Sequence, residues 1–276
     1  MSFKSLLVHV DQSEGVEDHL KTAFSFAVKH DAHVTGLGVF DGFEFAHSFM
    51  VSLPADVAKI YKKHRLEGYV EIKKLFEEIS TANHWQDRSD WVVVNDDPVK
   101  TLDNYSRYHD LVVVRQPSEE FFDTPSLPDS LVLQSVRPLL LLPRARWVDE
   151  IGRNVLIAWN GGREAARAIT DALPILKRAD NVTLVNVNAQ NEGKLSNFDM
   201  TIFLERHGVK VGTTKAINVE KRDITIGGAV LDEAARFEAD LIVMGAYGHS
   251  RFREYLLGGV TNHLLKHSTL PVFMAH

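Results

Sequence analysis

Cysteine is absent from all 276 residues, which removes disulfides, thiolate nucleophiles and cysteine-held metals together. A basic excess is absent too. The 31 lysines and arginines are outnumbered by 37 acidic residues, the formal net charge is −6, and no Lys/Arg cluster marks a nucleic-acid groove. The opening apolar run of residues 3–11 is too short, and too soon charged, for a signal peptide or a membrane span. A cytoplasmic chain with no membrane and no nucleic-acid partner is therefore expected. Also missing are a Ser-His-Asp order, a paired acidic dyad and a lysine-bearing phosphate loop. No general base stands obviously beside a phosphate site.

What the chain does contain is its own pattern, twice. Residues 6–11 (LLVHVD) line up with 155–160 (VLIAWN), 110–114 (DLVVV) with 240–244 (DLIVM), and 137–142 (RPLLLL) with 270–274 (LPVFM). Three correspondences in the same order point to an internal duplication. The polar stretch 143–150 is the seam, and the expected domains are 1–146 and 147–276.

Within each half, apolar runs alternate with helical patterns, as in βαβ units on a parallel sheet. In the first half the spacing predicts strands over 3–10, 33–40, 90–95, 110–114 and 138–142, with helices over 14–30, 54–82 and 97–108. In the second it predicts strands over 154–159, 181–188, 210–219, 240–245 and 271–275. Its helices are expected over 163–178, 195–207, 223–238 and 259–268. The long helix carries Val57, Ile60, Tyr61 and His64, then Ile72, Leu75, Phe76 and Ile79, at helical spacing. The fold class is α/β, with two tandem, doubly wound, five-stranded parallel-sheet domains. Ligands of such sheets sit beyond the carboxyl ends of the strands, where Asn160 and Gly245 both fall.

The most specific string lies there. Gly245-Ala-Tyr-Gly248 follows the strand 240–245, and nine residues later Gly258-Gly259-Val260-Thr261 opens the last helix. A glycine turn between strand and helix presents backbone N–H groups at a helix N-terminus, where phosphate can be held without lysine. Glycine permits close approach and, in many such turns, a positive φ. The first half has no counterpart. Residues 115–138 contain no glycine, Arg115-Gln-Pro117 replaces the turn, and Pro117, Pro125 and Pro128 would disturb the start of a phosphate-binding helix.

The spacing G-x2-G-x9-G, with a small residue and Val-Thr after it, resembles the ATP-binding motif of the universal stress protein family. The closing strand 270–274 is similar to that family's last strand. The resemblance spans 154–276 and, more weakly, the first half. It implies the adenine-nucleotide α-hydrolase-like version of the fold. It also implies pairing through the closing edge strands, here 139–142 and 272–274. Two linked halves can form that pseudo-twofold pair within one chain at high effective concentration. Further homodimerisation stays open.

The ligand so implied is ATP, and magnesium can accompany it. Gly245, Gly248, Gly258 and Gly259 would line the phosphates, with the Thr261 hydroxyl and Val260 beside them. Thr261 could cap or pack near the helix start, and the hydroxyl contact to phosphate, aided by the helix dipole, is the favoured reading. Asn160 stands where the family usually has Asp, which removes one negative charge and a good magnesium ligand. Its other reading is a turn residue in Asn-Gly-Gly. By the resemblance Val187 and Met244 would lie near the nucleotide, and either could be simply core. His249 and Arg251 lie in the loop, within reach of phosphate or solvated. His263 and His267 stand four apart without a third ligand, so no metal centre is assigned. His9 is expected as a core histidine. Asp11 with Ser13 reads as a retained family Asp or an ordinary helix cap. The aromatic stretch 40–50 reads as a flap or as an apolar pocket.

Two kinds of function fit. One is a tandem stress-response protein whose C-terminal half binds ATP and reports it to a protein partner, with at most weak ATPase activity and no catalytic residue assigned. The other is a slow ATPase or adenine-nucleotide-dependent α/β enzyme, and a scaffold with a vestigial site is a third possibility.

Overall fold

Short runs of valine, leucine and isoleucine, buried on both faces, become the inner strands of a parallel sheet because β-branched side chains suit a pleated, covered surface. The computed structural model describes residues 2–40, 55–117, 126–144, 147–187, 197–217, 225–248 and 259–276. In chain order the first half gives β1 (Ser5–Val10), α1 (Val16–His30), β2 (His33–Phe40), α2 (Ala55–Ala82), β3 (Ser89–Asn95), α3 (Pro98–Ser106), β4 (Leu111–Arg115), α4 (Leu127–Gln134) and β5 (Leu139–Leu142). The second gives β6 (Asn154–Trp159), α5 (Arg163–Leu176), β7 (Asn181–Val187), α6 (Asn197–Arg206), β8 (Val211–Ile217), α7 (Ile226–Arg236), β9 (Leu241–Gly245), α8 (Val260–His267) and β10 (Val272–Ala275).

The strands form one ten-stranded sheet in the order β3-β2-β1-β4-β5-β10-β9-β6-β7-β8. Read outward from the middle, the two halves have the same order, so the duplication is structural. They meet where β5 and β10 run antiparallel, Leu140 opposite Phe273, and every other pairing is parallel. Matching polar contacts recur. The Asp110 carboxylate accepts from the N–H groups of Lys4 and Ser5, and Asp240 does the same for Gly152, Arg153 and Asn154. Each carboxylate pins the start of its half's first strand.

Two core layers cover the sheet. One packs α1, α2, α5 and α6 on a face rich in Leu6, Val8, Ile157 and Phe273; the other packs α3, α4, α7 and α8 against Leu7, Val112, Ile242 and Val272. In α2 the buried stripe is Tyr69, Ile72, Phe76 and Ile79, whereas Ile60 is 69% exposed. The helical period there is right, but Ile60, near its start, faces solvent and not the core. Among the described residues no helix is long and apolar enough to cross a membrane.

One element differs from expectation. The prolines after Arg115 do not prevent a helix: α4 forms over the register that α8 occupies in the second half. Pro128 falls in its first turn, where a missing N–H breaks no helical bond. The aromatic stretch 41–50 lies outside the described residues.

Candidate functional site

At the carboxyl edge of the second half, three segments converge: the turn after β6, the start of α5 and the turn after β9. Asn160 follows directly on β6 and folds back so that its Oδ1 accepts the Gly162 N–H at 2.9 Å. That bond fixes which way the amide lies. Its Nδ2 is directed toward Gly248: a methyl group placed on Gly248 would lie 3.9 Å from it. Asn160 therefore offers donors to this space, while its oxygen is engaged locally.

Gly245 is required by close approach to backbone, whereas an added methyl on Gly248 would meet only the side-chain end of Glu164, and neither has the positive φ expected of the turn. A methyl group on Gly245 would collide with the Ala165 backbone N and lie 2.6 Å from the Glu164 carbonyl carbon. The end of β9 is thus packed directly on the first turn of α5. The left-handed residue in the turn is Tyr247, at φ 54°.

Sequence reasoning passed over Glu164. It occupies the second position of α5, is 5% exposed, and places its carboxylate between two glycines. Its Oε2 would be 2.8 Å from a methyl group on Gly248 and 3.3 Å from one on Gly162. Its Oε1 accepts from the exposed Arg163 Nε at 2.6 Å. Burial pushes the carboxyl pKa up, but the Arg163 hydrogen bond, its own backbone N–H and nearby positive charge outweigh this and hold it below the ordinary value. The side chain is ionised at neutral pH. The signal available in the sequence was an acid in the first turn of a helix, which is common enough to draw no attention.

The start of α8 is open in a particular sense. Its N-cap, Gly259, supplies no side-chain bond, so among the described residues the first N–H groups of α8 have no side-chain cap. Thr261 is 1% exposed, and its Oγ1 accepts the Tyr247 N–H at 3.1 Å, which ties the turn to the helix. Val260 is half-buried at the edge of the core, and Met244 is buried within it. Val187 ends β7 opposite Ile217, and its side chain is outside the described residues. His249 and Gly258, like Arg251, also lie outside them. The His263 and His267 rings sit 4.7 Å apart, with His263 Nδ1 3.4 Å from Thr225 Oγ1. Among the described residues no group of three or more potential metal ligands occurs.

The first half closes the equivalent places with side chains. Ser126 stands where α8 has Gly259, and its hydroxyl accepts the Asp129 N–H while Asp129 Oδ2 accepts the Ser126 N–H, a complete capping box. Arg115 stands where β9 has Gly245. It is buried, donates to Ser13 Oγ at 2.9 Å, and packs its guanidinium against Gly15 at the start of α1. Ser13 in turn donates to Asp11. At this pair of positions, among the described residues, the strand-end glycine and the helix start without a side-chain cap belong to the second half. The two sites also touch, for Tyr247 donates its hydroxyl to Asp129 Oδ1 at 2.8 Å. A separate cavity of about 370 Å³ lies by Trp147, Asp240 and Pro271, at the opposite edge of the sheet.

The sequence model of the universal stress protein family matches residues 152–276. Residues 152–276 thus carry a universal stress protein domain. The match covers the second half, where the glycine turn and the uncapped α8 are found. Among solved structures, a universal stress protein from Archaeoglobus fulgidus DSM 4304 is similar over 98% of this chain and 95% of its own, at 17% identity and a TM-score of 0.75. A functionally unknown protein from Pseudomonas aeruginosa PAO1 is similar over 99% of this chain and 92% of its own, at 15% identity and a TM-score of 0.56. At these identities the likeness is one of fold, and it runs through both halves. A search of curated proteins returned no match.

Proposed function

We propose that this tandem universal stress protein is an ATP-binding regulatory or interaction module whose second half, 147–276, holds the nucleotide. The first half, 1–146, is a degenerate copy in this reading. The observation that carries it is the contrast at the two helix starts. Gly259 leaves the first N–H groups of α8 without a side-chain cap, while Ser126 and Asp129 satisfy those of α4. Uncapped donors at a helix start, behind a glycine turn, suit an anionic phosphate and add the helix dipole to the attraction. The phosphates would lie along Gly245, Gly248, Gly258, Gly259 and Val260, with His249 in reach. Thr261 would brace the turn through Tyr247, and Asn160 would donate from the facing side. Val187 and Met244 would border the base. A protein partner, a cytoplasmic setting and homodimerisation belong to the same reading.

Turnover is slow or absent in this reading. Hydrolysis needs an oriented water and charge stabilisation beyond binding. The carboxylate beside Asn160 is Glu164, and one of its oxygens is already bonded to Arg163. Calorimetric titration with ATP, followed by a phosphate-release assay, tests the proposal. The native chain should bind, and Gly248→Val should not, because the added side chain meets Glu164 Oε2. Unchanged affinity in that variant would remove the site from this turn. Brisk multiple turnover would favour the enzyme instead.

A further inference from the structure

Among the described residues, the Glu164 carboxylate is the buried charge that faces the glycine turn. It lies between Gly162 and Gly248, in the space that Asn160 Nδ2 also approaches. Asn160 brings no negative charge to this space, and its Oδ1 already accepts the Gly162 N–H at 2.9 Å. Glu164 Oε1 is bonded to Arg163, which leaves Oε2 directed at the glycine turn. A free nucleoside triphosphate would bring up to four negative charges against this buried carboxylate. Like charges a few ångströms apart at a partly buried position repel, and solvent screens them less than on the surface. A small divalent cation reverses that sign. Magnesium is commonly held by one or two carboxylates plus the substrate's phosphate oxygens, and it keeps its remaining positions for water.

We propose that Glu164 determines which form of the nucleotide this site accepts: its Oε2 takes the part that Asn160 cannot, and selects the magnesium complex over the free polyanion. The inference rests on the ATP-binding reading and deepens it. It also moves the metal-facing role from the end of β6 to the first turn of α5, four residues along the chain. An acid there is favoured by the helix dipole before any ligand arrives, so the carboxylate is held in place in advance.

Calorimetric titrations of the full chain with ATP in excess EDTA, and with ATP in excess magnesium, test this directly. The native protein should bind the magnesium complex at least tenfold more tightly than free ATP, consistent with removal of one close like-charge contact. Glu164→Gln keeps the shape and removes the charge. It should gain affinity for free ATP by about tenfold and lose most of the magnesium dependence. Glu164→Asp keeps the charge on a shorter arm and should retain a magnesium preference. Equal affinity of the native protein for both forms would overturn the inference while leaving ATP binding intact. A carboxylate that merely fills space gives another pattern, with Glu164→Ala improving both forms equally and Glu164→Gln changing neither, and that also overturns it. No binding under either condition would overturn the underlying ATP reading together with this one. Thermal melts of each variant, compared with the native chain, separate a lost charge from a lost fold.

Discussion

His30 shows how a single residue can set the acid limit of this protein. It is 2% exposed, neither ring nitrogen has a hydrogen-bond partner among the described residues, and it packs against Phe3 and Phe26 at centroid distances of 5.3 and 4.4 Å. Burial first, then repulsion from Arg178 and Lys29, pushes its pKa down to about 4. Unfolding would return it to an ordinary value near 6.5, so between these values the unfolded chain binds the additional proton. Stability is therefore full above about pH 6.5 and falls progressively toward pH 4, by up to roughly 3 kcal/mol from this group. Urea unfolding at pH 7 and pH 5 should show the loss, and His30→Phe should reduce it. At pH 7 that variant should be at least as stable as the native chain, because a buried ring nitrogen without a partner is itself unfavourable by about 1–3 kcal/mol. An unchanged pH profile in the variant would assign the acid sensitivity elsewhere, with buried His19, also lowered to about 4, the next candidate. At this same scale the candidate site was only partly legible in the sequence. The glycines were marked by their spacing, and the fold gives Gly245 a packing reason of its own, its close approach to the α5 backbone. Glu164 was not marked, because only the fold shows that an acid in the first turn of α5 faces Gly248.

At the scale of elements, nearly all strands and helices were legible because apolar runs and the 3.6-residue period are local signals. Strands 33–40 and 154–159 match their expected limits, and the others differ by a few residues at the ends. Helix α4 was not legible, because Pro128 reads as a breaker unless the capping box at Ser126 is seen to place it in the first turn. That helix is also where the two halves exchange a polar contact. Asp129 accepts from Ser126 through Oδ2 and from the Tyr247 hydroxyl through Oδ1. The glycine turn of the second half is thereby tied to a helix start of the first. Tyr247→Phe removes only the hydroxyl, and should lower stability by about 1.5–3 kcal/mol, the range for a hydrogen bond to a charged group. A double-mutant cycle with Asp129→Asn should show non-additivity of about 1 kcal/mol or more. Strict additivity would mean that the contact carries no coupling between α4 and the turn.

On the scale of the whole molecule, the join between the halves is built as interior and not as a surface contact. Both strands of the antiparallel β5–β10 pair are buried along their whole length, and Phe3 from the first half packs its ring 6.3 Å from Phe273 of the second. Polar ties flank the seam: Val148 N–H to Thr22 Oγ1, Ser25 Oγ to the Asp149 carbonyl, Lys29 Nζ to the Ile151 carbonyl, and Arg167 to the Val136 carbonyl. Opening either half would strip β5 or β10 of its partner and expose an apolar strand edge, which is unfavourable in water. The halves should therefore unfold together, although a chain of this length could in principle unfold in two steps. Tryptophan reports on each side, with Trp91 on β3 in the first half and Trp159 on β6 in the second. Variants keeping one of these and replacing the other three tryptophans by phenylalanine should give superimposable urea transitions. If ATP binds only the second half, a hundredfold excess over its Kd should stabilise that half by about 2.7 kcal/mol. Because the sheet is continuous, the Trp91 transition should move by the same amount although its half holds no nucleotide. A Trp91 curve that stays put while the Trp159 curve shifts would show two independent folding units, and would leave the β5–β10 pair as a docking contact between them.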